Sequence, residues 1–186
     1  MTVSAHDVAA VLRERLPDLP TLKLHKLLYY AQGFHLAAVG APLFAEPVLA
    51  WDKGPVVGSL WQAERNVAAP PPRRALTDGQ LNIVDYVISR YGRLSGVDLM
   101  HTTHAEAPWR TANEGRPAGG SVQIRNEWMR DYFLAEPHDE GEMWFAPGKV
   151  AELTAGAAER RRGLEEVDDN DGLWATFEEL LDESRA

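Results

Sequence analysis

The chain has no cysteine among its 186 residues. That excludes disulfides, thiolate metal sites and cysteine nucleophiles. A reducing cytoplasm is the simplest compartment for such a chain. Also missing is any run of about 18 apolar residues, the length a membrane-spanning helix needs. The opening stretch, MTVSAHDVAAV, lacks the basic-then-apolar order of a secretory leader. A cytoplasmic protein without a membrane span is expected.

The common catalytic signatures are absent as well. There is no GxxxxGK[ST] loop and no GxGxxG after a strand. No serine lies in a GxSxG elbow, and Ser4, Ser95 and Ser121 fit the starts of elements better than nucleophilic roles. The acid pairs Glu165-Glu166 and Asp168-Asp169 sit in a solvated run without calcium-loop register. His101 and His104 are spaced i, i+3, which would let them share a metal with Asp98 or Glu106. Without an HExxH pattern or general base, that reading as a metal-dependent hydrolase ranks below a structural one. His25 and His35 lie about three turns apart on one helix, too far for a common site. His25 reads as a polar-face residue. No enzyme, metal or cofactor is expected.

Negative charge is abundant, but it is local. The net charge is −9. Residues 136–186 hold 15 Asp/Glu against 5 Lys/Arg, a net of −10; the other 135 residues hold 13 against 14, a net of +1. An acidic tail disfavours binding to phosphate backbones and suits a basic protein surface. Lys23, Lys26, Arg13, Arg15, Arg73 and Arg74 form a dispersed basic set with Tyr29, Tyr30 and Trp51 nearby in sequence. They do not cluster, so nucleic acid is not the expected partner.

The apolar spacing reads mainly as helix. Ser4 and Asp7 form a capping-box start for a helix over 5–15, which Pro17 and Pro20 end. Thr21 would cap a second helix over 22–39, apolar on more than one face and therefore central, with Gly40 closing it. Prolines and glycines then punctuate 41–57, and Leu43-Phe44 and Val48 to Trp51 are strand-like, so a small hairpin is expected. Val56 to Arg65 follows as a third helix, with Pro55 in its first turn. Residues 68–74 form an extended proline loop. Thr77 with Gln80, and Ser95 with Asp98, open two more helices; Gly92 closes the first. Residues 110–120 read as loop, and Asn126 caps a helix holding Trp128, Met129, Tyr132 and Phe133. Beyond Glu136 come a helix over 149–164, an acidic linker and an amphipathic helix from Leu173 to Leu181. The expected fold is mainly α: a compact helical domain over 1–135 with a small β-hairpin, plus an acidic C-terminal helical extension over 136–186.

Three blocks carry a family resemblance. The first is Lys23-Leu24 with Lys26-Leu27-Leu28-Tyr29-Tyr30-Ala31-Gln32-Gly33. The second is Pro42-Leu43-Phe44, Ala50-Trp51 and Gly54-Pro55-Val56. The third is Leu94-Ser95-Gly96, Thr103-His104 and Pro108-Trp109. In this order they resemble the Panacea domain of SocA-like, phage-associated GepA-like proteins, over about residues 5–133. The resemblance implies an antitoxin that neutralises a cognate toxin by direct protein–protein contact in a two-gene system. It implies toxins such as small alarmone synthetases or translation-directed proteins, and a setting in bacteria and phage defence. The founding member implies an alternative role, as an adaptor delivering its toxin to a ClpXP-type protease.

The same residues have plainer readings. Leu24, Leu27, Leu28 and Ala31 are core by spacing. Lys23 and Lys26 share a helix face as solvated or ion-paired lysines. Tyr29, Tyr30 and Gln32 are placed to carry polar tips at the surface of a buried helix, where Tyr suits an interface, although Tyr30 and Phe34 read first as core. Trp51 reads as an aromatic plug before a turn whose Gly54 needs positive φ, with an exposed hot spot as the alternative. His104 and Trp109 read as structural. Trp174, Phe177 and Leu180 in the tail form an apolar face that would dock on the domain or be offered to a partner groove.

Overall fold

The computed structural model describes residues 3–66 and 72–135. Within them lie seven helices and one three-stranded sheet. The expected helical domain with a small hairpin is what forms. No described helix is long and apolar enough to cross a membrane.

Local signals set most of the boundaries. α1 (Ala5–Arg15) starts at a full capping box between Ser4 and Asp7. α4 (Asp78–Tyr91) starts at another, between Thr77 and Gln80. α5 (Gly96–Ala105) starts at a third, between Ser95 and Asp98. Each satisfies two backbone donors that the first helical turn leaves over. α2 (Thr21–Val39) differs from expectation at its start. Pro20 is its cap residue, with no side-chain hydrogen bond, and Thr21 is already helical. Its end agrees: Gly40 takes φ 73° and its N–H bonds Leu36 O.

The sheet order is β2-β1-β3. β1 (Val48–Trp51) pairs antiparallel with β2 (Gly54–Val57) across a two-residue turn, Asp52-Lys53. Pro55 belongs to β2, opposite Ala50, so it is not in the first turn of α3 (Gly58–Arg65). β2 is an edge strand, where a residue without an N–H is tolerated. β3 (Val122–Gln123) pairs with Leu49 and Ala50; its two residues were too short a signal to read as a strand. Leu43-Phe44 is buried but forms only an isolated bridge from Phe44 to Val3.

One expected loop is partly helix. α6 (Ala107–Asn113) runs through the start of the 110–120 segment, with Pro108 in its first turn. Proline fits there because that N–H has no helical partner anyway. α7 (Asn126–Ala135) follows β3.

α2 is the central element. It packs against α7, α5, α4, α1 and β2. Every residue from Leu22 to Leu36 is buried. Gly33 shows how close the packing is: a Cβ there would lie 2.1 Å from Phe133 Cε2. Mid-helix glycine costs about 1 kcal/mol relative to alanine. Here it lets the ring of α7 rest on the α2 backbone. Tyr29, Tyr30, Phe34, Tyr86, Tyr91 and Phe133 form a joined aromatic cluster, with Tyr30 stacked on Tyr91 at 3.8 Å.

Candidate functional site

A helix buried on all sides must find internal partners for every polar group it carries. α2 carries several, and each of the following is bonded to a segment outside the helix. Gln32 holds residues 43–44: its Nε2 donates to Phe44 O at 3.0 Å, and its Oε1 accepts from Leu43 N and Phe44 N. Lys26 holds β2, donating from Nζ to Pro55 O at 3.1 Å. His25 accepts from Val57 N through Nδ1. Tyr29 and Tyr30 both donate to the Glu106 carboxylate, each at 2.8 Å. Lys23 donates to Gly92 O at the end of α4.

Burial changes the chemistry of these groups. It pulls Lys26 down to about 7, because an ammonium without bulk water is disfavoured. It pulls His25 down to about 3, helped by the nearby Lys26 and Arg13 charges. His25 is therefore neutral, with Nδ1 as acceptor; its Nε2 finds no partner among the described residues. Burial, then the Glu106 charge, push both tyrosines well above their ordinary value, so they stay protonated donors.

The third sequence block closes the network. Trp109 Nε1 donates to Trp51 O at 3.2 Å. Trp51 packs edge-on against Trp61, and its own Nε1 donates to Ser121 Oγ at 2.9 Å. His104 stacks on Trp109, with ring centroids 4.0 Å apart. Gly54 has φ 94°, the left-handed backbone expected of that turn.

The blocks that are separate in sequence thus form one polar bracket around α2. Residues 24–110 match the family described as antitoxin SocA-like, Panacea domain. Over that stretch, a little under half of the chain, it is similar to a Panacea domain. The match is narrower than the 5–133 the motifs suggest, and leaves out Lys23 and α7. No curated protein and no solved structure matches the chain.

Several expectations about the motif residues are corrected. Lys23 and Lys26 are not solvated: they are 9% and 0% exposed. Tyr29 and Gln32 do not reach the surface, while Tyr30 is core as its first reading had it; none of the three exceeds 1% exposure. His25 is not a polar-face residue but fully buried. Trp51 is buried, in line with its first reading as an aromatic plug and against the exposed alternative. Leu27, Val56 and Pro55 are buried as well, as is Gly54. Spacing alone misassigned the lysines because it treats every charged side chain as solvent-seeking.

The basic set also dissolves. Arg13 pairs with Glu64, Arg15 with Asp85 and Arg73 with Glu14, while both lysines point inward. His101 is exposed and His104 is half-buried on Trp109. Among the described residues no three His, Asp or Glu side chains gather as metal ligands. An open cleft of about 500 Å³ is lined by Val3, Ser4, Asp7, Glu46, Arg73 and Arg74, none of them a family-motif residue. Its two carboxylates already serve α1: Asp7 caps it, and Glu46 accepts from Ala5 N.

Sequence reasoning named Glu106 only as a candidate metal ligand and missed its role as the shared acceptor of two buried tyrosines. Its signal was topological: an acid just before Pro108-Trp109, at the junction of α5 and α6. Trp174, Phe177 and Leu180 lie outside the described residues, as does the whole 136–186 extension.

Proposed function

We propose that the protein is an antitoxin that neutralises a cognate toxin, encoded beside it, by direct protein–protein contact. The match to an antitoxin SocA-like domain is the observation that carries this reading. Burial of the motif adds a restriction on where contact is made. Lys26, Tyr29, Tyr30 and Gln32 have almost no accessible surface with which to touch a partner. Their role is to hold the scaffold.

Specificity then belongs to residues outside the bracket. Among the described residues only Val39 and Leu134 are large apolar side chains that stand exposed. The acidic 136–186 extension, a unit apart from the 1–135 domain, is the better contact element. Trp174, Phe177 and Leu180 recur there at helical spacing, and its net charge of −10 suits a basic toxin surface. The toxin classes that fit are a small alarmone synthetase or a translation-directed protein.

Co-expression of the chain with the product of the adjacent gene tests this. Growth arrest by that product alone, relieved by the chain, with co-purification of the two, is the expected result. A harmless neighbour, or rescue without any complex, would sink the reading. Toxin that disappears only when a ClpXP-type protease is present would replace neutralisation by delivery to that protease. Replacing Trp174, Phe177 and Leu180 together by alanine should abolish co-purification while the domain stays folded.

A further inference from the structure

The β1–β2 turn and the Lys26 side chain fit each other closely. The amine is wholly buried and donates to Pro55 O. Gly54 covers the end of the side chain: a Cβ there would lie 2.8 Å from Lys26 Cε and 3.0 Å from Thr103 Oγ1. Among the described residues no carboxylate pairs with the amine. A backbone turn therefore closes directly over a basic nitrogen whose sole bonded partner among the described residues is a neutral carbonyl.

We propose that the β1–β2 hairpin is a proton-coupled latch: it closes over the uncharged Lys26 amine, and on opening the amine takes one proton from solvent. This stands apart from toxin neutralisation and needs no partner. The cause is the cost of sealing an unpaired charge away from water. In the closed form Lys26 is held at about 7, against an ordinary 10.5. Between those two values the open form binds more protons than the closed form. Closure therefore strengthens as pH rises through that window and becomes independent of pH below it.

The neighbouring histidines and tyrosines do not titrate in the same window. His25 lies beside Lys26 on α2 and is lowered to about 3 by burial and by the Lys26 charge. His104 faces it from α5 and is lowered from 6.5 by burial, then by Lys26. Both are neutral above pH 7. Tyr29 and Tyr30 are pushed up, with Glu106 as their acceptor. Asp52 at the hairpin tip pairs with Arg116, and Lys53 follows it in the turn. Arg13, on α1, acts on His25 and pairs with Glu64.

The experiment is amide hydrogen exchange on the full chain from about pH 8 to 10, with each rate divided by that of an unprotected peptide. The opening constant of β1 and β2 amides should fall about tenfold per pH unit, as one coupled proton requires. These amides should also open more readily than those of α4, which report global unfolding. Lys26→Met, which keeps the apolar stem, should flatten the slope. No slope in the native chain overturns the proposal, as does a slope that survives Lys26→Met or opening no easier than that of α4. Should Lys26→Met fail to fold, nitrogen NMR titration of the lysine amines in the native chain decides. A Lys26 midpoint near 7 is expected, moving toward 10.5 in Gly54→Ala, where the added Cβ props the turn. A native midpoint at 10.5, or one that Gly54→Ala leaves in place, overturns it.

Discussion

α2 and α4 are both core helices, yet they bury polar groups for different reasons. In α4 the buried Gln80 closes the helix's own capping box, and Asp85 pairs with Arg15 of α1. Its apolar residues, Ile83, Val84, Val87 and Ile88, face inward at ordinary helical spacing. In α2 the buried Lys26, Gln32, His25 and two tyrosines each fasten another segment. A helix with water on one side can leave its polar groups there. A helix surrounded by five elements has to use them, and here they define where residues 43–44, β2 and the α5–α6 junction sit.

The comparison breaks first at low pH. His25 is held at about 3 against an ordinary 6.5. Between those values the unfolded chain binds the extra proton, so stability falls as pH drops through 6.5 toward 3. The loss should be on the order of 4 kcal/mol in urea unfolding, less whatever local relaxation recovers. A flat stability profile across that range would show that His25 reaches water and that α2 is not sealed.

Gln32→Ala comes next. It strips the partner from two N–H groups and one carbonyl in residues 43–44. Each buried orphan costs about 1–3 kcal/mol, so a loss of roughly 3 kcal/mol or more is expected from denaturant midpoints. A loss under about 1 kcal/mol would place the Gln32 bonds among the exposed ones.

Thr77→Ala should be the mildest. It removes one cap at an exposed helix start, worth about 1 kcal/mol. If it matched Gln32→Ala in the same assay, the distinction between the two helices would be lost.

How legible the fold was depended on the range of the forces involved. Capping boxes at Ser4, Thr77 and Ser95 act over three residues, and the sequence shows them directly. The Gly40 stop and the Gly54 turn are equally local, since a positive φ selects glycine within one residue. α6 was hidden because Pro108 reads as a breaker unless the helix is known to start just before it. β3 was hidden because two residues carry no period. The candidate site was visible as residues but not as an arrangement. Lys26 and Pro55 are 29 positions apart, and Tyr29 and Glu106 are 77 apart.

By itself the sequence determined that this chain makes amphipathic helices, a glycine-proline turn and a motif similar to that of Panacea domains, and that its acid collects beyond residue 135. Those properties follow from backbone preference, short-range capping and composition. Only the tertiary structure decided that the motif's two lysines, its glutamine and Tyr29 are interior. Charge and polarity predict exposure only when water is the better partner. Packing five elements around α2 removed the water and left backbone carbonyls, amides and one carboxylate in its place.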